Sequence, residues 1–480
     1  MESSPISILP AYTSLSEIYT DPKPQLARYQ SLITLYEQLY NFKPQYVVRA
    51  PGRVNLIGEH IDYSGYGVFP FALEQDTVMF FTPNNSDKIS IHHKNSSIYP
   101  SIILSTDPYA HSPNPKEYYN YILAGYKAIL IPNNVKNPVG IDILVDGNVP
   151  IAAGLSSSAS IVVCSASMTL IANKMREKVD LGDFTSNIIT YERAMGPSVG
   201  GMDQTISVWG KKNKALYITF DPIRTVPIDL PKDVMFVIGD SLTESKKMLT
   251  MGTRYNKRVC ECRLALEILI KALNISKNEK IRNLAELQVF LKKSYEEMIM
   301  LVKANIKEKG YSVEELQKLL GNTLESIFQD ISNYEVVLSS NTLYFPLERA
   351  LHVYAESSRV LKFKDICLGA LSDEEKSVLL GKLMDESHMS CRDLYDCSSE
   401  NLDKFVASAK KLGALGSRLT GAGWGGCVVS LIKCHDLHYF LENIRKEFYE
   451  GRELLGRKME DVLFATFPGS GVGFLETKNL

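Results

Sequence analysis

Four segments hold residues whose types and spacing point to chemistry. The first, Arg49–Tyr63, packs Arg53, Glu59, His60 and Asp62 among Pro51, Gly52 and Gly58. Such a run reads as too polar for a core strand and too broken for a surface helix. Carboxylates beside a histidine suit a ligand with many hydroxyls; the competing reading is a solvated loop, since loops are polar by default. The second, Pro150–Ser160, is a Gly/Ser turn (Gly154, Leu155, Ser156, Ser157, Ser158, Ala159) opening into a small-residue helix. The first N–H groups of a helix lack internal partners, and with the helix dipole they form an anion site. No G-x-x-x-x-G-K-[ST] pattern occurs here, so this is no Walker A loop. An ordinary capped helix is the competing reading.

The third segment, Leu419–Cys427, places Gly421, Gly423, Gly425 and Gly426 within six residues. Such a backbone must turn sharply or touch something, as a ligand loop or as a strained hairpin. The fourth is a pair of carboxylates, Glu192 in Tyr191–Arg193 and Asp203 in Gly200–Gln204, separated by a Gly/Pro-containing loop. Either carboxylate alone would read as surface.

These segments need a framework. A helix is expected over Pro24–Asn41, and short strands over Tyr46–Arg49, Val78–Pro83, Ile89–His93 and Ile141–Val145. Glu117–Ile131 and Ser157–Lys174 read as helices, the latter buried. Pro222, Pro227 and Pro231 cluster just before a strand candidate, Val234–Gly239, and mark a domain boundary. Beyond it, Tyr255–Leu273 and one long stretch, Ile281–Lys309, carry apolar residues at helical spacing. Ser312 with Glu315, and Ser372 with Glu375, fit the capping-box spacing and mark helix starts. Cys427–Ile432 and Asp461–Phe467 return to strand character. Helices and strands alternate without a regular βαβ beat, which makes the chain α+β.

The four segments, in this order over Arg49–Cys427, resemble the GHMP small-molecule kinases and, within them, the galactokinases. Gly52–Tyr63 is similar to the sugar-binding signature, Gly154–Ala159 to the phosphate-binding loop, and Leu419–Gly426 to the third motif. Gly200–Gln204 is similar to the segment bearing the catalytic aspartate. The resemblance implies ATP-dependent phosphorylation of the anomeric hydroxyl of galactose or N-acetylgalactosamine, giving the sugar 1-phosphate and ADP. Asp203 would be the catalytic carboxylate, as base or as orienting group, with Arg53 beside it to neutralise charge on the transferring phosphoryl group. Glu59, His60 and Asp62 would bind sugar hydroxyls, with Gly200 and Tyr255 near the ring. Residues Gly154, Leu155, Ser156, Ser157, Ser158 and Ala159 would bind the nucleotide phosphates, and Tyr118 would offer the purine an aromatic face. Ser158 and Glu192 would hold Mg²⁺, a hard cation that takes oxygen ligands.

Two positions depart from the family pattern. Ile61 stands where galactokinases often carry Thr, and Tyr118 where Trp is frequent near the adenine. His60–Tyr66 is similar to the variant of N-acetylgalactosamine kinases and of plant-type galactokinases, which leaves both sugars open. The implied fold has two domains. A ribosomal-protein-S5-like domain over residues 1–230 carries the first two motifs, and a ferredoxin-like domain over 231–480 carries the third, with the active site in the cleft between them. A non-catalytic galactose and ATP sensor of a regulatory pathway is the alternative from another class. The complete Gly154–Ser160 loop and the presence of Asp203 and Arg53 weigh against it. A kinase of mevalonate or homoserine is disfavoured because such substrates offer few hydroxyls to Glu59, His60 and Asp62.

Composition sets the outer bounds. With 480 residues, 45% hydrophobic and 22% charged, the chain can build large cores without staples, and disorder, collagen and coiled coil are excluded as its main state. A net charge of −2 gives no general attraction to nucleic acid or to an anionic membrane. The 8 cysteines are scattered without a C-x-x-C pair, as in reduced thiols of a cytosolic protein. Met1–Pro5 lacks the features of a signal peptide, and no apolar run is long enough to span a membrane. The expectation is a cytoplasmic monomer that binds galactose or N-acetylgalactosamine and ATP, without nucleic-acid or membrane partners.

Overall fold

In the strand Tyr46–Asn55 every residue from Val47 to Asn55 is buried, and alternate side chains go to opposite faces. Val47 joins Tyr29, Leu32 and Tyr36 of the helix Pro22–Tyr40 in one core. Val48 joins Val162, Val163 and Ala166 of the helix Ser157–Ala172 in another. The first sheet is therefore covered on both sides. It is six-stranded, in the order Gly473–Glu476, Tyr46–Asn55, Pro70–Asn84, Gly140–Gly147, Lys88–His93, Ile102–Ser105. Only Lys88–His93 and Gly140–Gly147 run parallel.

This computed structural model describes residues 7–111, 117–194, 200–243 and 251–480, so the Met1–Pro5 opening lies outside the described residues. A second sheet, all antiparallel, orders Gly416–Leu419, Cys427–Lys433, Val234–Asp240 and Leu463–Thr466. Between its strands Val234–Asp240 and Gly416–Leu419 lies a helical stretch that includes Asn256–Ala272, Pro346–Leu368, Asp373–Asp393 and Glu400–Lys411. The mixture is α+β, as expected. No described helix is long and apolar enough to cross a membrane.

Most expected elements occur within a few residues of their expected ends. The capping boxes form at both Ser312–Glu315 and Ser372–Glu375. Four expectations need correction. The first strand does not stop at Arg49 but runs through Pro51 and Gly52 to Asn55, with its register against Pro70–Asn84 shifting between Pro51 and Arg53. The irregularity lets a strand accommodate the breakers. The stretch Ile281–Lys309 is not one helix but two, Leu284–Leu291 and Tyr295–Asn305. Lys292 there takes a left-handed conformation (φ 51°), and Ser294 with Glu297 forms a further capping box that starts the second helix. Asp461–Phe467 begins inside a helical turn, Met459–Val462, and is a strand only over Leu463–Thr466. Finally, the strand expected over Val78–Pro83 begins eight residues earlier and runs over Pro70–Asn84. Gly473–Glu476, late in the chain, returns to pair with Tyr46–Arg49 of the first sheet.

Candidate active site

The bulge in the first strand turns Arg53 toward the other motifs. At Gly52 there is no room for a side chain, because a Cβ would stand 2.7 Å from the Leu155 carbonyl oxygen. The neighbouring Arg53 N–H donates to that same oxygen at 3.1 Å. The Arg53 guanidinium, 5% exposed, donates through Nε to Asp203 Oδ1 at 2.8 Å and through one terminal nitrogen to the Gly154 carbonyl at 2.5 Å. One side chain thus ties the first motif to the Gly/Ser turn and to the acidic segment. Asp203 stands in the first turn of the helix Met202–Trp209, where the helix dipole favours a carboxylate.

Beyond the strand, the loop turns its polar side chains inward. Glu59 is 2% exposed, which excludes the solvated-loop reading. Its Oε1 accepts from the Gly421 N–H at 2.8 Å, its Oε2 accepts from Asn55 Nδ2 at 2.9 Å, and the buried Arg418 lies 3.4 Å from Oε1. Burial raises the Glu59 pKa above the ordinary carboxylate value against the opposing pull of Arg418 and Arg53. His60 adopts a left-handed backbone (φ 61°) and stacks on Tyr395, ring centres 4.8 Å apart. Its Nε2 meets the Ala422 carbonyl at 3.0 Å and its Nδ1 meets the Tyr63 hydroxyl at 2.9 Å. A carbonyl only accepts, so the proton belongs on Nε2, and in the neutral ring Nδ1 accepts from Tyr63.

Asp62 accepts the Tyr63 N–H at 3.0 Å on Oδ1 and, more weakly, the Met202 N–H at 3.4 Å on Oδ2. Burial, and after it the Asp203 carboxylate, push the Asp62 pKa up to about 6. Gly200 packs against this carboxyl; a Cβ there would fall 2.2 Å from Asp62 Cγ. Arg53, Glu59, His60, Asp62, Asp203 and Tyr255 line one small polar cavity, with Gly421 and Ala422 closing it from the other half of the chain.

The glycine-rich third motif interlocks with the Gly/Ser turn. A Cβ on Gly421, at φ 84°, would stand 2.4 Å from the Gly154 carbonyl oxygen, and one on Gly426 would stand 2.8 Å from that of Ala153. The Cys427 N–H donates to Ala153 at 2.9 Å. The glycines therefore serve close backbone approach rather than a hairpin alone. Gly154 (φ 74°) and Ser156 (φ 60°) are left-handed, and Ser156 precedes the helix Ser157–Ala172 without capping it by its side chain. The buried Ser156 hydroxyl has no protein partner. An uncapped, dipole-bearing helix start is suited to an anion.

Glu192, 4% exposed, lies in the last turn of the helix Leu181–Arg193 and accepts from Gln204 Nε2 at 2.6 Å. The helices bearing Ser158, Glu192 and Asp203 pack on one another. Tyr118 is half-buried farther along, its hydroxyl on the Pro100 carbonyl at 3.1 Å and its ring edge-on to Tyr99 at 5.1 Å. Among the described residues, no cluster of three or more His, Cys, Asp or Glu could hold a metal. A cation here would draw on a hydroxyl, one carboxylate and the oxygens of its ligand.

Sequence reasoning missed Arg418 and Tyr395, and gave Thr420, within the third segment, no role. Thr420 Oγ1 exchanges hydrogen bonds with the Asn55 backbone, and Arg418 donates to the Asn55 carbonyl at 3.0 Å. An arginine inside the otherwise apolar lead-in to a glycine-rich loop was the available signal. Tyr395 has no such signal, since only the fold brings it to His60.

Known proteins are similar to this chain over most of its length. The galactokinase galactose-binding signature matches residues 34–83, the GHMP kinase N-terminal domain residues 120–211, and the GHMP kinase C-terminal region residues 371–450. The galactokinase of Dictyostelium discoideum is 38% identical over 460 residues, which cover 91% of each chain. That of Candida parapsilosis is 33% identical, with 95% of this chain and 94% of the other covered. In fold, the chain is similar to the crystal structure of Lactococcus lactis galactokinase complexed with galactose. That TM-score is 0.69 at 24% identity, over 93% of this chain and 99% of the other. It is less similar to Methanococcus jannaschii mevalonate kinase, with a TM-score of 0.53 at 17% identity over 88% and 98%.

Proposed function

Since the chain belongs to the galactokinase family of GHMP kinases, we propose that it transfers the γ-phosphoryl group of ATP to the anomeric hydroxyl of galactose. The observation that carries this assignment to particular residues is the Arg53–Asp203 contact. It stands where the hydroxyl-binding cavity meets the uncapped helix start.

Phosphoryl transfer asks the protein for alignment and charge neutralisation more than for covalent chemistry. Glu59, His60 and Asp62 bind the sugar hydroxyls, with Tyr255 near the ring and Gly200 leaving Asp62 its place. Asp203 accepts the hydrogen of the anomeric hydroxyl and aligns its oxygen on the γ-phosphorus. As the new O–P bond forms, the bond to the β-phosphate oxygen breaks and ADP leaves. Arg53 commits Nε to Asp203 and one terminal nitrogen to Gly154. The other terminal nitrogen is the edge left for the transferring phosphoryl group. Gly154–Ala159 cradle the phosphates with backbone N–H groups and serine hydroxyls, and Tyr118 supplies a face for the purine. Ser158 and Glu192, oxygen donors only, would hold Mg²⁺, whose charge would offset that of the phosphates.

All eight cysteines are free and seven are buried, which supports a reducing compartment such as the cytoplasm. Measuring ADP release with galactose and with N-acetylgalactosamine side by side tests the reading. Turnover of galactose to the 1-phosphate is expected. Galactose bound without turnover, or turnover confined to N-acetylgalactosamine or to a non-sugar alcohol, would overturn it.

A further inference from the structure

The loop that carries Glu59 and His60 is gripped from outside by a helix that none of the four motifs includes. The helix Pro346–Leu368 sets Arg349, His352 and Glu356 three and four residues apart, on one face, and all three are buried. His352 Nε2 meets the Glu59 carbonyl oxygen at 3.0 Å, and Glu356 Oε1 accepts the Gly58 N–H at 2.9 Å. Backbone groups of two adjacent residues, flanking the Gly58–Glu59 peptide, are thus held by two side chains one helical turn apart. Gly58 needs such a hold, because its φ of 105° is one that a side chain would forbid. Val360, a turn further on, presses on Gly58 so closely that a Cβ there would stand 3.0 Å from it.

The grip is itself held. Ser390 and Ser387, on the neighbouring helix Asp373–Asp393, meet His352 Nδ1 at 2.8 Å and donate to Glu356 Oε1 at 2.6 Å. The imidazole of His352 also packs on Tyr395, centres 4.4 Å apart, and Tyr395 in turn stacks on His60. Arg349 secures the segment before Tyr395 by donating to the Leu394 carbonyl. A carbonyl partner fixes the proton of His352 on Nε2, so Nδ1 accepts from Ser390. Burial keeps the ring neutral, with its pKa pushed down to about 4. Glu356 stays ionised: against the opposing effect of burial, Arg359, Arg418 and the Ser387 hydroxyl hold its pKa down to about 2.

We infer that His352, with Glu356 as its companion, is a positioning residue for the sugar. Through the Glu59 carbonyl and the Gly58 N–H it sets the angle at which Glu59 and His60 enter the cavity. It touches no substrate, and its influence falls on sugar binding rather than on nucleotide binding or the transfer step. The inference rests on the galactose reading above for its kinetic arm, and on the geometry alone for its second arm.

The experiment compares two polar substitutions of similar size. In His352→Gln the amide nitrogen reaches the place of Nε2 and still donates to Glu59. In His352→Asn it reaches only the place of Nδ1, toward Ser390. The Asn variant should raise KM for galactose about tenfold, as expected for one buried hydrogen bond left unmade. Its KM for ATP and its kcat should change by less than about threefold. The Gln variant should stay within about threefold of wild type in all three. Amide hydrogen exchange of the free protein over Asn55–Asp62 should be faster in Asn and unchanged in Gln. Wild-type galactose KM and exchange in both variants would overturn the inference. So would a uniform loss in both, falling equally on the two KM values, kcat and Tm, which would mean a packing role only. If the wild type did not turn over galactose, the functional reading would fail, while the exchange comparison would still decide the grip.

Discussion

The Gly421 N–H donates to Glu59 Oε1 at 2.8 Å, across 362 residues of chain. A carboxylate of the sugar-binding loop is thereby held by the backbone of the glycine-rich loop from the other half of the molecule. With Asn55 on its second oxygen and Arg418 beside the first, Glu59 is oriented before any ligand arrives. Such preorganisation lowers the cost of ordering a site on binding.

Glycine at 421 is therefore a requirement of the interface between the two loops. Gly421→Ala would place a methyl group 2.4 Å from the Gly154 carbonyl, at a left-handed φ. It should destabilise the protein by well over about 1 kcal/mol and abolish transfer. Thermal unfolding and ADP release measure the two effects; a variant with the wild-type Tm would contradict the interlock.

Asp203→Ala should abolish phosphoryl transfer while leaving nucleotide binding largely intact, because Asp203 meets Arg53 and lines the polar cavity proposed for the sugar. Nucleotide titration by calorimetry, paired with single-turnover kinetics, separates the two. Retention of near wild-type kcat would remove Asp203 from the mechanism.

Arg53→Lys keeps the charge and loses the fork. A lysine cannot donate to Asp203 and Gly154 at once and still face a phosphoryl group. The expected loss is about 10²–10³ in kcat, on the scale of removing one donor to a developing anion. A higher sugar KM with kcat unchanged would assign Arg53 to binding alone.

Asp62 carries the pH dependence. Its pKa of about 6 lies above that of an ordinary aspartate. The native state thus holds this proton more tightly than the unfolded chain does. The associated stability is complete below the ordinary carboxylate range and is lost as pH rises through about 6. Asp62→Asn should accordingly raise Tm at pH 8, with the gain shrinking toward pH 4. In the proposed role Asp62 binds a sugar hydroxyl as the carboxylate, so the wild-type galactose KM should rise as pH falls below about 6, and the Asn variant should lack that inflection. A parallel pH profile in wild type and variant would assign the inflection elsewhere.

Glu192→Ala and Ser158→Ala should each raise the Mg²⁺ concentration needed for half-maximal rate and lower kcat. Loss of one oxygen ligand is costly for a cation that demands near-octahedral geometry. Magnesium titrations at fixed ATP provide the check, and unchanged titrations in both would refute the pair.

The order and spacing of the four polar segments made the site legible in the sequence, because each carries its own local signal. Breakers announce Gly52 and Gly154, and dense glycines announce Gly421–Gly426. Capping boxes announced the helix starts after Ser312 and Ser372 for the same reason: serine and glutamate act within one turn. Yet the same signal at Ser294 and Glu297 lay inside an apolar period that masked it, and two helices read as one. What the sequence hides is partnership at a distance. Glu356 and His352 reach the loop from 298 and 293 residues away, and nothing in their own neighbourhood sets them apart. The burial of Arg53, Glu59 and His60 was likewise invisible, because polarity reads as exposure until partners are known.

The pairing of Gly473–Glu476 with Tyr46–Arg49 has a consequence for biogenesis. The buried guanidinium of Arg49 donates to the carbonyls of Ser470 and Gly471 as well as to Asp76. While the ribosome is still making the chain, neither of those carbonyls exists. The edge of Tyr46–Arg49 is then bare and a buried cation is short of acceptors, a costly state for a nascent sheet. The amino-terminal half therefore cannot reach its final form as it emerges, but must wait until Ser470–Glu476 have been translated. Until then the bare strand edge is open to pairing with other chains.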